Sequence, residues 1–230
     1  MKIVDQQVTL IDTMGSDLSV VNAARVSFDK ESEWDGTAFD PCLSEKDKKL
    51  IRYLAKHNHW SPFSHVTASF RIKAPIFVAR QLAKHQVGFS WNEVSRRYVD
   101  SEPEFFFPSA FRKRAENVKQ GSSDEVFTGL GYASGLSIPD KLARQATLTA
   151  LTSYNTMLEQ GVCPEQARMV LPQNTMTEWI WTGSLYGWAR MCQLRLDPHT
   201  QVETQVIAKK VSNFLEDYFP VSWEVLMEKQ

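Results

Sequence analysis

The segment from Arg80 to Asp100, RQLAKHQVGFSWNEVSRRYVD, constrains the fold and the chemistry of this chain more than any other segment. It begins with the spacing of an amphipathic helix, on which Gln81, Lys84 and His85 share one face. Gly88 can end that helix, because glycine tolerates a left-handed turn. Hydrogen-bonding and charged side chains then follow closely, namely Asn92, Glu93, Ser95, Arg96 and Arg97. This density predicts a site for an anion joined to a polar ring, such as a nucleotide; a solvated basic turn is the simpler alternative.

The composition narrows the class of protein. The chain has 230 residues, 43% hydrophobic and 23% charged, which is typical of a soluble globular protein of one large or two small domains. Its formal net charge of −1 argues against nonspecific nucleic-acid binding, so any anion site must be local. No apolar run approaches the roughly 18 to 20 residues of a membrane span, and the N-terminus looks like a strand and not a signal peptide.

The cysteines indicate the compartment. Cys42, Cys163 and Cys192 are widely spaced and odd in number. This pattern fits neither a disulfide framework nor a zinc site, and we expect a reducing, cytoplasmic environment.

Periodicity predicts mixed strands and helices without internal repeats. Strands are expected over 3–12 and over 65–74, where Val66, Ala68, Phe70 and Ile72 alternate with polar residues. Residues 28–43 look irregular, and 101–137 look like a surface excursion. Capping residues and apolar spacing predict further helices over 17–25 (after Ser16 or Asp17), 44–57 (with Ser44 and Asp47 as a capping box), 139–160, 163–169, 177–195 and 198–218 (with Asp197 as N-cap and Pro198 first).

Some positions allow two interpretations. His57, His59 and His65 lie close together, but no carboxylate or cysteine joins them at a recognised spacing and Pro62 scatters their directions. We therefore expect no metal site, and interpret His59 and Ser61 as polar groups presented by a loop.

Other polar positions are equally ambiguous. Arg168, before an apolar run, can be a structural ion pair or a site residue. Arg195 and His199 can belong to a helix junction or face a shared cleft. Gly183, Ser184 and Gly187 form a small-residue face on the predicted 177–195 helix, usable by a ligand or by another helix.

These motifs also occur together in one family. The chain resembles the flavin-dependent thymidylate synthases (the ThyX family) over nearly its whole length. The family signature is Arg-His-Arg, seven or eight residues, then Ser; the aligned run here is Lys84-His85-Gln86, eight residues, then Ser95. Asn92-Glu93 and Arg97-Tyr98 match as well. Further matches occur in the same order, namely MGSDLSVVNAARVSF (14–28), HWSPFSH (59–65), APIFVARQ (74–81), ARMVLP (167–172) and LRLDPHTQVE (194–203).

The resemblance implies a fold, substrates and site residues. The fold is α/β of the α+β type, with helices around an antiparallel sheet, here one domain over 1–230. Members are homotetramers whose active sites combine several subunits, use FAD, and take NADPH and methylenetetrahydrofolate as co-substrates; no nucleic-acid polymer or membrane partner is expected. Residues implied for the nucleotide dUMP are Gln81, Lys84, Glu93, Ser95, Arg96, Arg97, Arg168 and Arg195. Residues implied for FAD are His59, Ser61, Lys84, His85, Gln86, Asn92, Glu93, Ser184, Tyr186, Arg190 and His199.

The flavin positions depart from the family pattern. Lys84 and Gln86 replace the two signature arginines, and lysine lacks the bidentate fork of arginine. Ser184 and Tyr186 stand where the family has asparagine and arginine, and Arg190 replaces another asparagine. One hypothesis is that Arg190 restores a cation near the flavin pyrophosphate.

The residues agree with a mechanism that lacks an enzyme nucleophile. None of the three cysteines lies in a loop that combines cations and a base, so no activated thiolate is expected. The resemblance implies that Arg195 is catalytic and polarises the uracil at N3 during reductive methylation of dUMP. Two alternatives stay open: a related enzyme that hydroxymethylates dUMP or modifies another pyrimidine, and a nucleotide- or flavin-binding protein without turnover.

Overall fold

The computed structural model describes residues 1–37, 39–116, 121–128 and 135–228. Strands in this part of the chain are β1 Lys2–Ile3, β2 Gln7–Met14, β3 Asp35–Thr37, β4 Asp40–Cys42, β5 Thr67–Pro75, β6 Phe89–Glu93, β7 Glu104–Phe105, β8 Arg112–Arg114, β9 Ser122–Val126 and β10 Met176–Ser184. Helices are α1 Asp17–Arg25, α2 Glu45–Lys56, α3 Ser61–Ser64, α4 Ile76–Leu82, α5 Ile138–Glu159, α6 Pro164–Ala167, α7 Leu185–Arg195, α8 Val202–Tyr218 and α9 Pro220–Met227. Short 3₁₀ turns cover Val26–Phe28 and Arg168–Val170.

The main sheet has the strand order β2-β5-β10-β6, and each neighbouring pair is antiparallel. On β5 the alternate residues Ala68, Phe70, Ile72 and Ala74 are buried, which confirms the predicted half-buried strand. Helices pack around this sheet, and the indole Nε1 of Trp188 on α7 donates to the Ala68 carbonyl at 3.1 Å. The expected α+β arrangement of helices around an antiparallel sheet is therefore confirmed.

Local capping signals predicted three helices well. The helices expected over 17–25, 44–57 and 139–160 correspond to α1, α2 and α5. At the start of α2 the Asp47 backbone N–H donates to the Ser44 hydroxyl at 3.2 Å, as expected of an N-cap. The Asp17 carboxylate meanwhile accepts the backbone N–H groups of Val221 and Ser222 at 3.0 and 2.9 Å, which joins α1 to the unpredicted helix α9.

The prediction of one helix over 177–195 is wrong. Residues up to Ser184 form the central strand β10, and the helix α7 begins only at Leu185. Thr177, Trp179, Trp181 and Gly183 are buried at every second position, which is the period of a strand. Aromatic and β-branched residues favour that conformation.

Two predicted helix boundaries also differ. The last long helix starts at Val202 and not at Pro198, because residues 197–201 form a turn in which the Asp197 carboxylate accepts the His199 N–H at 2.8 Å. The helix that Gly88 was expected to end stops at Leu82, six residues before that glycine. Gly88 instead takes a left-handed conformation (φ +79°) immediately before β6, in a segment expected to be a loop.

The segments expected to be irregular contain ordered pairs of strands. The hairpin β3–β4 lies within 28–43, and β7 pairs with β1 in parallel. The surface excursion expected over 101–137 includes a buried phenylalanine run, with Phe105 fully buried and Phe106 and Phe107 each 8% exposed. The rest of that segment carries the hairpin β8–β9, and 117–120 and 129–134 lie outside the described residues. No helix in the described ranges is both long and apolar enough to cross a membrane.

Candidate active site

A cavity of about 950 Å³ opens beside the loop that connects α4 to β6. We call it cavity I. Its size lies at the upper end of the range for small-molecule sites. It is lined by Trp60, Ser64, Thr67, Lys84, His85, Gln86, Val87, Gly88, Phe89, Ser90, Thr182, Gly183, Ser184, Tyr186, Gly187 and Arg190.

Glycines leave space for the Phe89 ring in the lining of cavity I. The ring of Phe89 lies over Gly183, its partner on β10, so closely that a Cβ on Gly183 would fall 2.3 Å from a ring carbon. The Gly88 carbonyl accepts the Ser184 N–H at 3.0 Å, and the Ser184 hydroxyl accepts the Gly187 N–H at 3.1 Å at the start of α7. The predicted small-residue face therefore receives a side chain of this same chain, Phe89.

A second cavity of about 670 Å³ lies near the end of α7 and the start of α8. We call it cavity II. It is lined mostly by polar and charged groups, namely Gln81, Arg112, Gly121, Ser122, Leu194, Arg195, Asp197, His199, Thr200 and Gln201. Such a lining suits a polar, anionic ligand.

The Gln81 side chain is held at both ends of its amide. Its Nε2 donates to Gln201 Oε1, and its Oε1 accepts the Thr204 hydroxyl at 3.0 Å. Because both contacts come from the start of α8, the amide of Gln81 has one defined orientation at the edge of cavity II.

Arg195 connects the two cavities. Its Nε donates to His85 Nε2 at 2.9 Å, and its Nη2 donates to the Gln81 carbonyl at 3.2 Å. Arg195 lines cavity II, whereas His85 lines cavity I. Burial, followed by the charges of Arg195 and Arg190, lowers the pKa of His85 to about 4. The imidazole is therefore neutral at pH 7 and can accept this hydrogen bond.

Arg112 also lines cavity II and is held by an ion pair. One of its terminal nitrogens lies 2.9 Å from both carboxylate oxygens of Glu203, and its Nε donates to the Ser122 hydroxyl at 2.8 Å. Burial of Glu203 would by itself raise its pKa, but the hydrogen bonds and the charge of Arg112 outweigh burial and the pKa lies below its usual value. This ion pair is a structural support that the sequence analysis missed.

The residues predicted to bind FAD are only partly brought together. Cavity I contains Lys84, His85, Gln86, Ser184, Tyr186 and Arg190. His59 lines a smaller adjoining cavity of about 110 Å³ together with Trp60, Tyr186 and Arg190. Ser61 begins α3 and is exposed, while Asn92 and Glu93 lie on the strand β6. His199 lines cavity II.

The residues predicted to bind dUMP divide into groups. Gln81 and Arg195 line cavity II, and Lys84 lines cavity I. The expected shared face of Gln81, Lys84 and His85 is not found, because the helix ends at Leu82.

The remaining nucleotide candidates contact their own neighbours outside both cavities. The Glu93 carboxylate accepts the Thr177 hydroxyl at 2.6 Å, and the Arg97 Nε donates to the Ser95 hydroxyl at 3.0 Å. Arg96 donates to the Ser101 carbonyl, and Arg168 to the Glu165 carbonyl. The strand β6 lies between Lys84 and Ser95 in the sequence, and its five residues extend over about 13 Å at the usual rise of a strand.

Other lining residues had weak signals in the sequence. Trp60 lies in the HWSPFSH motif and is 54% exposed, with its ring centroid 6.2 Å from that of Tyr186. Gln201 and Thr204 occur in or beside the LRLDPHTQVE motif and could have been found as polar residues at a helix start. His57 and His59 pack around the Tyr53 ring, and the described residues contain no group of three or more His, Cys, Asp or Glu placed to hold a metal ion.

Comparison with known proteins identifies the family. The sequence model of the thymidylate synthase complementing protein family matches residues 9–221. The chain belongs to this family.

Curated relatives are similar over most of their length. The chain is 38% identical to the flavin-dependent thymidylate synthase of Thermus thermophilus, over 96% of this chain and 75% of that protein. It is 35% identical to the enzyme of the same name from Thermosipho africanus, over 95% of this chain and 90% of that protein. The resemblance inferred from the motifs is thereby confirmed.

A solved structure shares the fold. The crystal structure of the UMP/dUMP methylase PolB from Streptomyces cacaoi, bound with 5-Br dUMP, superposes with a TM-score of 0.79 at 30% identity. The match covers 98% of this chain and 96% of that one.

Proposed function

We propose that this member of the thymidylate synthase complementing protein family is a flavin-dependent thymidylate synthase, which reductively methylates dUMP to dTMP. The observation that carries the proposal is the position of Arg195. Its guanidinium lines cavity II and is hydrogen-bonded to His85, which lines cavity I. Such a cation can act on a nucleotide in one cavity while a cofactor occupies the other.

Cavity I has the chemistry that FAD requires. Lys84 and Arg190 supply positive charge for a pyrophosphate, and Gln86 supplies an amide. Trp60, Tyr186 and Phe89 supply aromatic surface for planar rings. Lys84 keeps a positive charge at the position of one signature arginine, and Arg190 adds a guanidinium where the family has asparagine, so the cavity keeps its cationic character with a different arrangement. These groups would bind and orient FAD, and when bound it would supply the hydride.

In cavity II, Gln81 and Arg195 would hold the uracil ring of dUMP. The two hydrogen bonds of Arg195 use Nε and Nη2, and Nη1 is engaged by neither. A guanidinium fixed in this way can stabilise negative charge that develops on the ring without first reorganising. The family resemblance supports this assignment of Arg195 as the catalytic residue.

The three cysteines, all within the described residues, offer no thiol for covalent activation in either cavity. Cys192 is fully buried, and burial raises its pKa well above the ordinary value. Cys42 and Cys163 are exposed, and neither is among the residues that line cavities I and II. Activation of uracil by the charge of Arg195 is therefore the mechanism that these residues favour.

A second copy of the chain would complete the nucleotide site. Ser95 and Arg97 retain the pattern that the family uses for dUMP, yet the strand β6 carries them away from Lys84. Arg97 is exposed, and its Nε donates to the hydroxyl of Ser95 in the same loop. We therefore propose that Glu93, Ser95, Arg96, Arg97 and Arg168 of one copy serve the cavities of another, within a homotetramer.

The remaining parts of the proposal rest on the family. Methylenetetrahydrofolate would provide the one-carbon unit and NADPH would reduce the flavin. A cytoplasmic location is supported by the three free cysteines.

Product analysis tests the reaction. Purified protein is incubated with FAD, NADPH, methylenetetrahydrofolate and dUMP, and the nucleotide is analysed by mass spectrometry. We expect a product heavier than dUMP by one CH₂ group. A gain of CH₂O would show hydroxymethylation, and flavin that is bleached by NADPH without a change in dUMP would show a binding protein without turnover. UMP is assayed in parallel, because the similar PolB structure is of a UMP/dUMP methylase.

A further inference from the structure

The wall between the two cavities contains a hydrogen bond whose direction is defined. Arg195 has only N–H donors, so His85 Nε2 must be the acceptor in the 2.9 Å contact. A neutral imidazole carries one proton, and that proton must then be on Nδ1. His85 therefore offers a lone pair to Arg195 and an N–H donor from its other nitrogen.

The surroundings of His85 favour this protonation state over the charged one. Two cations disfavour a positive imidazole: Arg195 donates to the ring, and the charge of Arg190 also lowers the pKa of His85. A protonated His85 would lose its lone pair on Nε2 and would repel the Arg195 guanidinium. The contact thus requires neutral His85.

We propose that His85 is a positioning residue for Arg195: its Nε2 holds the guanidinium edge, so that nucleotide recognition in cavity II depends on a residue that lines cavity I. The inference rests on the proposed function for the identity of the nucleotide. It assigns His85 a role separate from any contact of its own with a flavin.

The geometry explains why one hydrogen bond matters. Arg195 has two anchors, the His85 nitrogen and the Gln81 carbonyl. Two anchors on adjacent nitrogens fix the plane of the guanidinium, whereas the Gln81 contact alone leaves it free to rotate about that bond. Loss of His85 as an acceptor would therefore release the orientation of Arg195 while leaving its charge in place.

The test measures the affinity of FAD-saturated protein for dUMP by calorimetry. His85→Phe keeps a ring but removes the acceptor, and we expect its Kd for dUMP to rise roughly tenfold. His85→Gln places an amide oxygen near the position of Nε2 and should restore the Kd to within about threefold of wild type. His85→Asn has the same chemistry with a shorter reach and should behave like the phenylalanine variant.

A double-mutant cycle separates positioning from general damage. In an Arg195→Ala background, His85→Phe should change the Kd for dUMP by less than about twofold, because the residue through which His85 acts is gone. Selectivity for dUMP over dCMP should also fall in His85→Phe, since the two nucleotides share the phosphate and differ in the base. His57→Phe is the matched control: His57 is exposed, lines none of these cavities and should leave the Kd unchanged.

The outcomes distinguish this inference from the proposed function. Wild-type affinity in both His85→Phe and His85→Asn overturns the inference alone, as does a loss of equal size in the Arg195→Ala background. Failure of the wild-type protein to bind dUMP overturns the proposed function and the inference together.

Discussion

Substitution of Gly183 by alanine should disturb both stability and flavin binding, because a side chain already fills the space beside this glycine. A Cβ at position 183 would lie 2.3 and 2.4 Å from two carbons of the Phe89 ring. Real Cβ contacts are not that short, so either the ring or the strand must move.

The Phe89 ring cannot retreat into the core and would have to move toward cavity I. Its centroid lies 4.7 Å from that of Trp181 and 4.8 Å from that of Trp188, and both tryptophans are fully buried. Overpacking of a filled core costs about 1 to 3 kcal/mol, and two close contacts against a confined ring place Gly183→Ala near 3 kcal/mol. Because Phe89 also lines cavity I, its displacement should weaken FAD binding.

Urea denaturation and a flavin fluorescence titration measure the two effects. Gly187→Ala is the graded control, since its Cβ would lie 3.1 Å from the nearest ring carbon and should cost less. In the double variant Gly183→Ala with Phe89→Ala, the added methyl should no longer be costly relative to Phe89→Ala alone. A Gly183→Ala protein within about 0.5 kcal/mol of wild type would refute the reasoning, because the predicted overlap would then have been relieved at almost no cost.

Three more predictions concern charged residues. Arg195→Ala should lower the rate of dTMP formation by at least about 100-fold with a normal melting curve; near-wild-type turnover contradicts its role. Arg190→Ala should weaken FAD binding roughly tenfold, unlike the exposed control Arg52→Ala, and unchanged affinity rules out Arg190 as the substitute cation. The Glu203 pKa is lowered by folding, so its contribution to the free energy of unfolding is present above its unfolded pKa and is lost as pH falls through the folded one. Acid titration of Glu203→Gln should therefore show a flatter loss of stability than wild type.

Short-range patterns predicted much of the fold because their causes are local. The N-cap at Ser44 and the alternation along 65–74 act within a few residues, and both are found in the structure as expected. The helix predicted over 177–195 failed for a physical reason. Its first half forms the central strand β10, which is buried on one face. That burial depends on partners in β5 and β6 that lie 86 to 117 residues away in the sequence.

The burial of the phenylalanines at 105–107 likewise depends on residues that are distant in the sequence. They stand in a polar, proline-containing stretch that resembles a surface loop, yet they are buried. The Phe106 N–H donates to the Asn174 carbonyl at 2.9 Å, and the Asn174 amide donates back to the Phe106 carbonyl at 3.0 Å. This reciprocal pairing with a distant turn, which has no signal in the local sequence, orders the segment.

The candidate site is divided in a way that the sequence alone could not predict. Residues 80–97 carry many polar and charged side chains, and their motif indicates the family, but a compact run in sequence does not form a compact site in one chain. The early end of α4 sends Gln81 to cavity II and His85 to cavity I, and β6 then carries Ser95 and Arg97 beyond both. Arg195 connects the two cavities again, because its Nε donates to His85, which lies 110 residues away in the sequence. Periodicity could indicate which of these residues share a helix face, but this contact depends on tertiary packing, which places the last residue of α7 against the loop that follows α4.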